Sequence, residues 1–226
     1  MDIGMDIGTI IALACRPAPG APPAAVDSLR VIKGVGILGG LHADAFSPRQ
    51  LLLASRSAYD ALGLAPHALR ENLLVDVDTA GLASGTVLRI GSDVSIRLMF
   101  QCEACGGLDR RRPGLARVIG ARRGILARVV SGGMIRRGDA IRELETRLPA
   151  WPEDWRARVA LVLDAVPPGS VIEYRHLARL AGIQSSYCRA FPRVIDKLGP
   201  GYAGKAVTSQ SSSTLPRWEG SGLFER

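Results

Sequence analysis

Residues 86–100 read Thr86-Val87-Leu88-Arg89-Ile90-Gly91-Ser92-Asp93-Val94-Ser95-Ile96-Arg97-Leu98-Met99-Phe100. Apolar residues alternate with polar ones on both sides of Gly91-Ser92-Asp93, which is a hairpin signature. Successive side chains of a strand point to opposite faces, so the alternation builds one apolar face. Working outward, Gly8–Cys15, Ser28–Lys33, Leu51–Ala54 and Leu73–Val77 are further short apolar runs of strand length. Residues 16–23 are a Pro/Gly/Ala loop, and 34–40 a Gly-rich exit from a strand. Gly124–Val130 and Met134–Arg136 are expected to form a closing hairpin through Ser131-Gly132-Gly133. Between the strands, Ser55–Leu62 reads as a helix with Ser55 or Ser57 as N-cap and Gly63 as C-cap. Pro113–Ile119 reads as a second short helix. Many short strands joined by glycine-rich turns predict a closed or partly closed barrel.

The composition suits that plan. The chain of 226 residues is 47% hydrophobic but only 5% aromatic, so Val, Leu, Ile and Ala must fill the core. Four cysteines, at 15, 102, 105 and 188, are too few for a disulfide scaffold in a chain this long. No apolar run reaches the ~18 residues of a membrane-spanning helix. The first fourteen residues contain Asp2 and Asp6 and lack the basic start of a signal peptide. A cytoplasmic location with no membrane partner is expected. The repeated Met-Asp-Ile-Gly at 1–4 and 5–8 reads as an ambiguous start, and the barrel is expected to begin after it. The formal charge is +8, with 19 Lys+Arg against 14 Asp+Glu in residues 1–150 and 10 against 7 in 151–226. Arg dominates the cations, and its planar fork matches phosphate and carboxylate. An Arg-rich coding bias explains the same count.

The pattern changes after Arg147. Leu148-Pro149-Ala150-Trp151-Pro152 has the composition of a boundary, so a β-rich domain over 8–148, a linker over 149–152 and a second domain over 153–226 are expected. Trp155, Val159, Val162, Leu163 and Val166 follow helical spacing. Pro167-Pro168-Gly169 ends that helix, Ile172–Leu180 is a second and Ser185–Leu198 a third. Three helices separated by turns follow the plan of a helix-turn-helix domain. The Ser/Gly/Pro-rich tail after Thr208 is a wing or a frayed end.

The residues that carry chemistry in the first part are Cys102-Glu103-Ala104-Cys105, at the end of a strand and before Gly106-Gly107. Such a pair can bind metal, form a disulfide, present a reactive thiolate, or simply pack at a strand end. Zinc needs two more ligands, and His42, His67, His176, Cys15 and Cys188 show no paired spacing. Arg110-Arg111-Arg112 and Arg122-Arg123 follow closely; cations lower a thiol pKa and hold phosphate, although a solvated loop is the commoner fate of such a run.

In order along the chain, Gly36-Ile37-Leu38-Gly39-Gly40-Leu41-His42-Ala43 resembles the Gly-x-x-Gly-Asp-x-His segment of MOSC domains. Pro48-Arg49-Gln50-Leu51 resembles their Arg-Gln-Val strand, and Arg70-Glu71-Asn72-Leu73 their Arg-Glu-Asn-Leu segment. Leu88-Arg89-Ile90-Gly91 is similar to the strand and turn that follow. Cys102-Glu103-Ala104-Cys105 stands where many members have Cys-Glu-Pro-Cys, and residues 124–129 and 137–139 resemble the closing part. Each motif is weak alone; the ordered set over about residues 10–145 is specific. The resemblance implies a MOSC-type β-rich barrel that binds molybdenum cofactor or delivers sulfur, with pyridoxal phosphate binding as a further family-level property. It implies that Cys105 is the catalytic, sulfur-bearing thiol, or the molybdenum ligand when the cofactor is bound. It places His42, Arg49, Glu71, Asn72 and Cys102 in the cofactor cleft, with Arg111 and Arg112 supplying charge for a phosphate. A sulfur donor protein is the implied partner. Gly40 in place of the usual Asp, Leu41 in place of a polar residue and Ala104 in place of Pro depart from the pattern.

Residues 156–208 resemble a second family. Val159–Gly169 is similar to the entry helix and Pro-Gly turn of alkylguanine-DNA alkyltransferases and alkyltransferase-like proteins. Val171-Ile172-Glu173-Tyr174-Arg175-His176-Leu177-Ala178 is similar to their Val-x-x-Tyr-x-x-Ile-Ala helix, and Ser186–Ala190 to the start of their recognition helix. The resemblance implies a small, mainly α winged-helix domain that contacts duplex DNA through Tyr174, Arg175 and Arg189, the last entering the stack when a base leaves it. Gly204 stands at the position of the family's reactive Cys, so no alkyl transfer is expected. Two functional classes follow: a MOSC protein that binds molybdenum cofactor or carries sulfur on a cysteine, and a non-enzymatic DNA-binding or damage-sensing protein. A scaffold that has lost both activities is the third alternative.

Overall fold

The computed structural model describes residues 4–110 and 112–225. The chain divides into two compact units, residues 1–45 with 49–151, and residues 46–48 with 152–226.

The first unit holds strands β1 (Gly4–Cys15), β2 (Ala24–Val26), β3 (Ser28–Ile32), β4 (Gly36–Ile37), β5 (Leu51–Ser55), β6 (Leu73–Val75), β7 (Thr86–Ile90), β8 (Val94–Gln101), β9 (Ile125–Ser131), β10 (Gly133–Arg136) and β11 (Ala140–Arg147), with short helices α1 (Arg56–Leu62), α2 (Gly106–Asp109) and α3 (Leu115–Ile119). The large sheet runs β11-β7-β8-β9-β5-β6-β1, and a β1–β11 pairing closes it into a seven-stranded barrel; β2 extends beside β1. The expected hairpin forms β7 and β8, with Ile90 opposite Val94 and Leu88 opposite Ile96. Every second residue faces inward: Leu51 and Leu53, Leu73 and Val75, Val94, Ile96 and Leu98, and Ile125, Ala127 and Val129 share one buried cluster. β5 and β6 pair in parallel, which requires a crossover, and residues 56–72 with α1 provide it. α1 starts at Ser55, whose hydroxyl accepts from the Ala58 amide, and ends at Gly63 with φ 54°. Ala58 and Tyr59 of α1 join Leu108, Leu115 and Ile119 in a second apolar cluster.

Three features differ from the sequence reading. β1 begins at Gly4, so the second Met-Asp-Ile-Gly is barrel strand, with Gly4 opposite Leu144 and Met5 opposite Glu143. Their partner β11 is a strand that sequence reading passes over. Its buried residues Ile141 and Leu144 are three apart across an irregular register, so the two-residue period is broken. Residues 131–133 are not a hairpin turn. β10 pairs with β3, Ile135 opposite Leu29, and forms a small sheet β10-β3-β4. A Cβ on Gly132 would lie 2.8 Å from the Val31 carbonyl, so glycine is required here for close backbone passage rather than for turning.

The second unit holds α4 (Trp155–Ala165), β12 (Ile172–Glu173), α5 (Tyr174–Leu180), α6 (Phe191–Leu198) and β13 (Ala206–Val207). Asp154 caps α4 by accepting from the Arg156 and Ala157 amides. The second expected helix starts two residues late because Ile172 and Glu173 pair in parallel with Ala206 and Val207. The third opens as a 3-10 turn, residues 185–190, before α6. The tail is not frayed: the Val171 amide donates to the Pro216 carbonyl, the Trp218 amide to the Val171 carbonyl, and Leu223 is buried. Arg158 is fully buried, with Nε donating to the Ala181 carbonyl at 2.9 Å and Nη1 to those of Pro152 and Glu153.

Candidate functional site

The first unit brings its expected site residues to two places. The first is a small cleft lined by Cys15, Arg16, His42, Arg70, Glu71 and Asn72, among others. It has room for about one water, near 20 Å³. The loop that carries His42 is pinned by two buried side chains. Gln50 Nε2 donates to the carbonyls of Gly34 and Asp44, while its Oε1 accepts from the Val129 amide. Arg128 donates to the carbonyls of Ala45 and Gly34, and burial, with Arg97 beside it, pushes its pKa down to about 10.

His42 Nε2 lies 2.9 Å from Arg16 Nη2. A guanidinium only donates, so Nε2 accepts and the imidazole proton resides on Nδ1. Desolvation, then the positive charge of Arg49, hold the His42 pKa below its ordinary value against the opposing pull of Asp44. The ring is therefore neutral at pH 7.

Glu71 and Asn72 line the cleft but are committed inside the protein. Glu71 is buried; Tyr59 Oη donates to its Oε2 at 2.5 Å, and His67 Nδ1 lies 3.3 Å from Oε1. Burial and the Glu71 charge push the Tyr59 hydroxyl pKa far up, so it stays a donor. Asn72 Oδ1 accepts from the Leu52 amide and Nδ2 donates to the Ala14 carbonyl, which ties β5 to β1. Sequence reading assigned both to cofactor binding. The Asn72 bonds serve backbone groups of two barrel strands, which need partners, and the Glu71 bonds tie the segment to Tyr59 of α1 and to His67. His67 and Arg70 both have φ of 58°, a left-handed conformation that costs energy in a non-glycine residue. Cys15, Arg16 and Arg70 are the cleft residues that sequence reading missed. Only the strained Arg70, next to Glu71, sits in a motif already singled out.

The second place is the end of β8. Cys102 is buried, and its amide donates to the Gly124 carbonyl at 2.7 Å. Arg49 Nη2 lies 3.7 Å from Cys102 Sγ. Cys105 is half-buried and opens α2. All four cysteines are free thiols. Burial pushes the thiols of Cys15 and Cys188 up. Arg112 reaches back to the Leu62 carbonyl at the end of α1, and Arg111 lies outside the described residues. Among the described residues no group of three or more His, Cys, Asp or Glu converges as a metal site. Arg49 is the link between the two places: it approaches the Cys102 sulfur and its charge acts on His42.

In the second unit, the half-buried Tyr174 packs edge-to-face on Phe191 with ring centroids 5.6 Å apart, and burial raises its hydroxyl pKa. Arg175 Nε lies 2.6 Å from Glu173 Oε2, and Arg217 Nη1 lies 2.8 Å from the other oxygen. Arg189 is exposed. Gly204 has φ 77° with open space around its Cα.

The MOSC domain family matches residues 43–142. Among solved structures, the chain is similar to the YUAD protein from Bacillus subtilis, at 20% identity over 64% of this chain and 98% of that one, with a TM-score of 0.54. A hypothetical protein of known structure matches at 20% identity over 86% of this chain and 92% of its own, also at TM-score 0.54. YiiM from Geobacillus stearothermophilus matches at 14% identity over 83% and 98%, with a TM-score of 0.52. At these identities the likeness is one of fold. The last two matches cover more of the chain than the first unit supplies, so they take in part of the second. No curated protein matches the chain. No helix among the described residues is long and apolar enough to cross a membrane. The family match over residues 43–142, the closed seven-stranded barrel and the Cys-x-x-Cys at the end of β8 agree: this part of the chain is similar to MOSC domains.

Proposed function

We propose that this MOSC-like domain carries sulfur on Cys105. The observation that supports the reading is the asymmetry of the thiol pair. Cys102 is buried and approached by Arg49, while Cys105, three residues on, is reachable from solvent. A carrier thiol must meet its donor and acceptor, and thiolate access sets the rate of such exchange. Cys102 then belongs to the frame that joins the thiol loop to β9 and to Arg49. The residues expected to hold a molybdenum cofactor fit that group less well. Cys105 is not among the residues lining the cleft, Glu71 and Asn72 are hydrogen-bonded within the protein, and the cleft holds about one water. Sulfur carriage needs none of them as ligands. The test is the intact mass of protein isolated under anaerobic conditions, with molybdenum analysis of the same sample. One added sulfur that maps to Cys105 and is lost in Cys105→Ala is expected; its absence after incubation with a sulfane donor overturns the reading.

A second reading concerns the second unit. Tyr187 and Arg189 are exposed on the 3-10 turn before α6, and Trp155 packs edge-to-face on Tyr187 at 5.2 Å. An exposed arginine beside exposed aromatic surface suits the weak duplex DNA contact that the alkyltransferase-like resemblance implies, with Arg189 rather than Tyr174 or Arg175 as the contacting group. Fluorescence anisotropy with a mismatched duplex tests it. Loss of binding in Arg189→Ala supports the reading, and no binding at low salt overturns it.

A further inference from the structure

We infer that Arg110 makes the Cys105 thiol selective for small anionic sulfane-sulfur donors, an inference that rests on the sulfur-carrying reading. A methyl carbon placed on Gly107 would lie 3.5 Å from Cys105 Sγ and 4.0 Å from Arg110 Nη2. The thiol and the guanidinium thus both lie within 4.0 Å of one point in space, and that point is open because residue 107 has no side chain. Gly106, its neighbour, faces nothing within 4 Å. The surroundings are cationic: residues 103–123 contain six arginines against Glu103 and Asp109. Asp109 is occupied with the α3 segment, its Oδ1 accepting from the Ala116 amide at 2.8 Å. Arg110 is exposed, so its charge reaches an incoming solute. A guanidinium matches the planar or trigonal faces of carboxylate and sulfur oxyanions by paired hydrogen bonds.

Thiosulfate is the smallest donor of this class. The Cys105 thiolate attacks its outer sulfur, a Cys105 S–S bond forms, and the S–S bond of thiosulfate breaks with its electron pair on the departing sulfite. The thiol proton passes to water, and Cys105 is left as a persulfide. No further oxidant or reductant is needed. Arg110 sits where the oxyanion end of the donor arrives and where sulfite departs, which makes it a specificity residue.

Two measurements on the full chain test this. The first compares alkylation of Cys105 by anionic iodoacetate and by neutral iodoacetamide, which are close in size. Arg110→Gln should lower the iodoacetate-to-iodoacetamide rate ratio roughly fivefold or more, Arg110→Lys should largely retain it, and added salt should shrink the difference. The second follows thiosulfate loading by the mass of the persulfide and by sulfite release. Arg110→Gln and Gly107→Ala should both slow it, and Gly106→Ala should not. An unchanged alkylation ratio in Arg110→Gln, or equal loading of Gly107→Ala and wild type, overturns the role of Arg110 while leaving sulfur carriage standing. A lowered ratio with no persulfide from thiosulfate or any other sulfane donor overturns sulfur carriage itself.

Discussion

At the scale of single residues, two consequences are measurable. Cys102 is 4% exposed and Cys105 half-buried, so limiting iodoacetamide read by peptide mass should label Cys105 first. Equal labelling would remove the asymmetry on which sulfur carriage rests. His42 gives a pH dependence. Its folded pKa lies below the ordinary 6.5, with burial first and Arg49 second as causes. A depressed value means that the folded state favours the neutral ring. The stability this contributes is complete above the unfolded pKa and is lost as pH falls through the folded one. In an NMR titration the ring should change shift below the midpoint of a free histidine, and Arg49→Ala should move that midpoint up. Sequence reading placed His42 and Arg49 together by resemblance, and the geometry keeps them in one electrostatic neighbourhood. It could not show that Glu71 and Asn72 spend their side-chain hydrogen bonds on Tyr59, Leu52 and Ala14, because those partners are distant in sequence.

At the scale of elements, glycine tests the topology. Gly132 permits close passage of β9 into β10 beside β3. Gly132→Val should therefore destabilise the protein by about 1–3 kcal/mol through overpacking against backbone. Gly138, with φ 87° and open space around it, should cost only ~1–2 kcal/mol on change to Ala, for backbone strain alone. Urea unfolding of the two variants gives both numbers, and a larger loss at Gly138 would contradict the crossing. In the second unit, Arg158→Met should cost about 3 kcal/mol, since the carbonyls of Ala181, Pro152 and Glu153 lose a buried charged donor. β5 to β9 were legible from sequence, β7 and β8 by alternation about a Gly-rich turn and β5, β6 and β9 as short apolar runs. β11 was not, because its irregular pairing spaces Ile141 and Leu144 as a helix would.

At the scale of the whole molecule, the division between Trp151 and Pro152 leaves residues 148–151 attached to the barrel. The Leu148 amide donates to the Gly85 carbonyl, and the Trp151 amide to Ser84 Oγ. Limited proteolysis should spare 148–151. Cleavage inside 148–151 would show that these bonds do not hold the segment in solution. By itself the sequence determined that the first part is a β barrel with a Cys-x-x-Cys at a strand end and that helices follow, because these are local properties of side-chain period, turn residues and caps. Only the tertiary structure decided that β1 and β11 close the barrel and that β10 turns to β3. Each of those depends on which distant backbone groups satisfy one another, and a pattern of neighbouring residues carries no record of that choice.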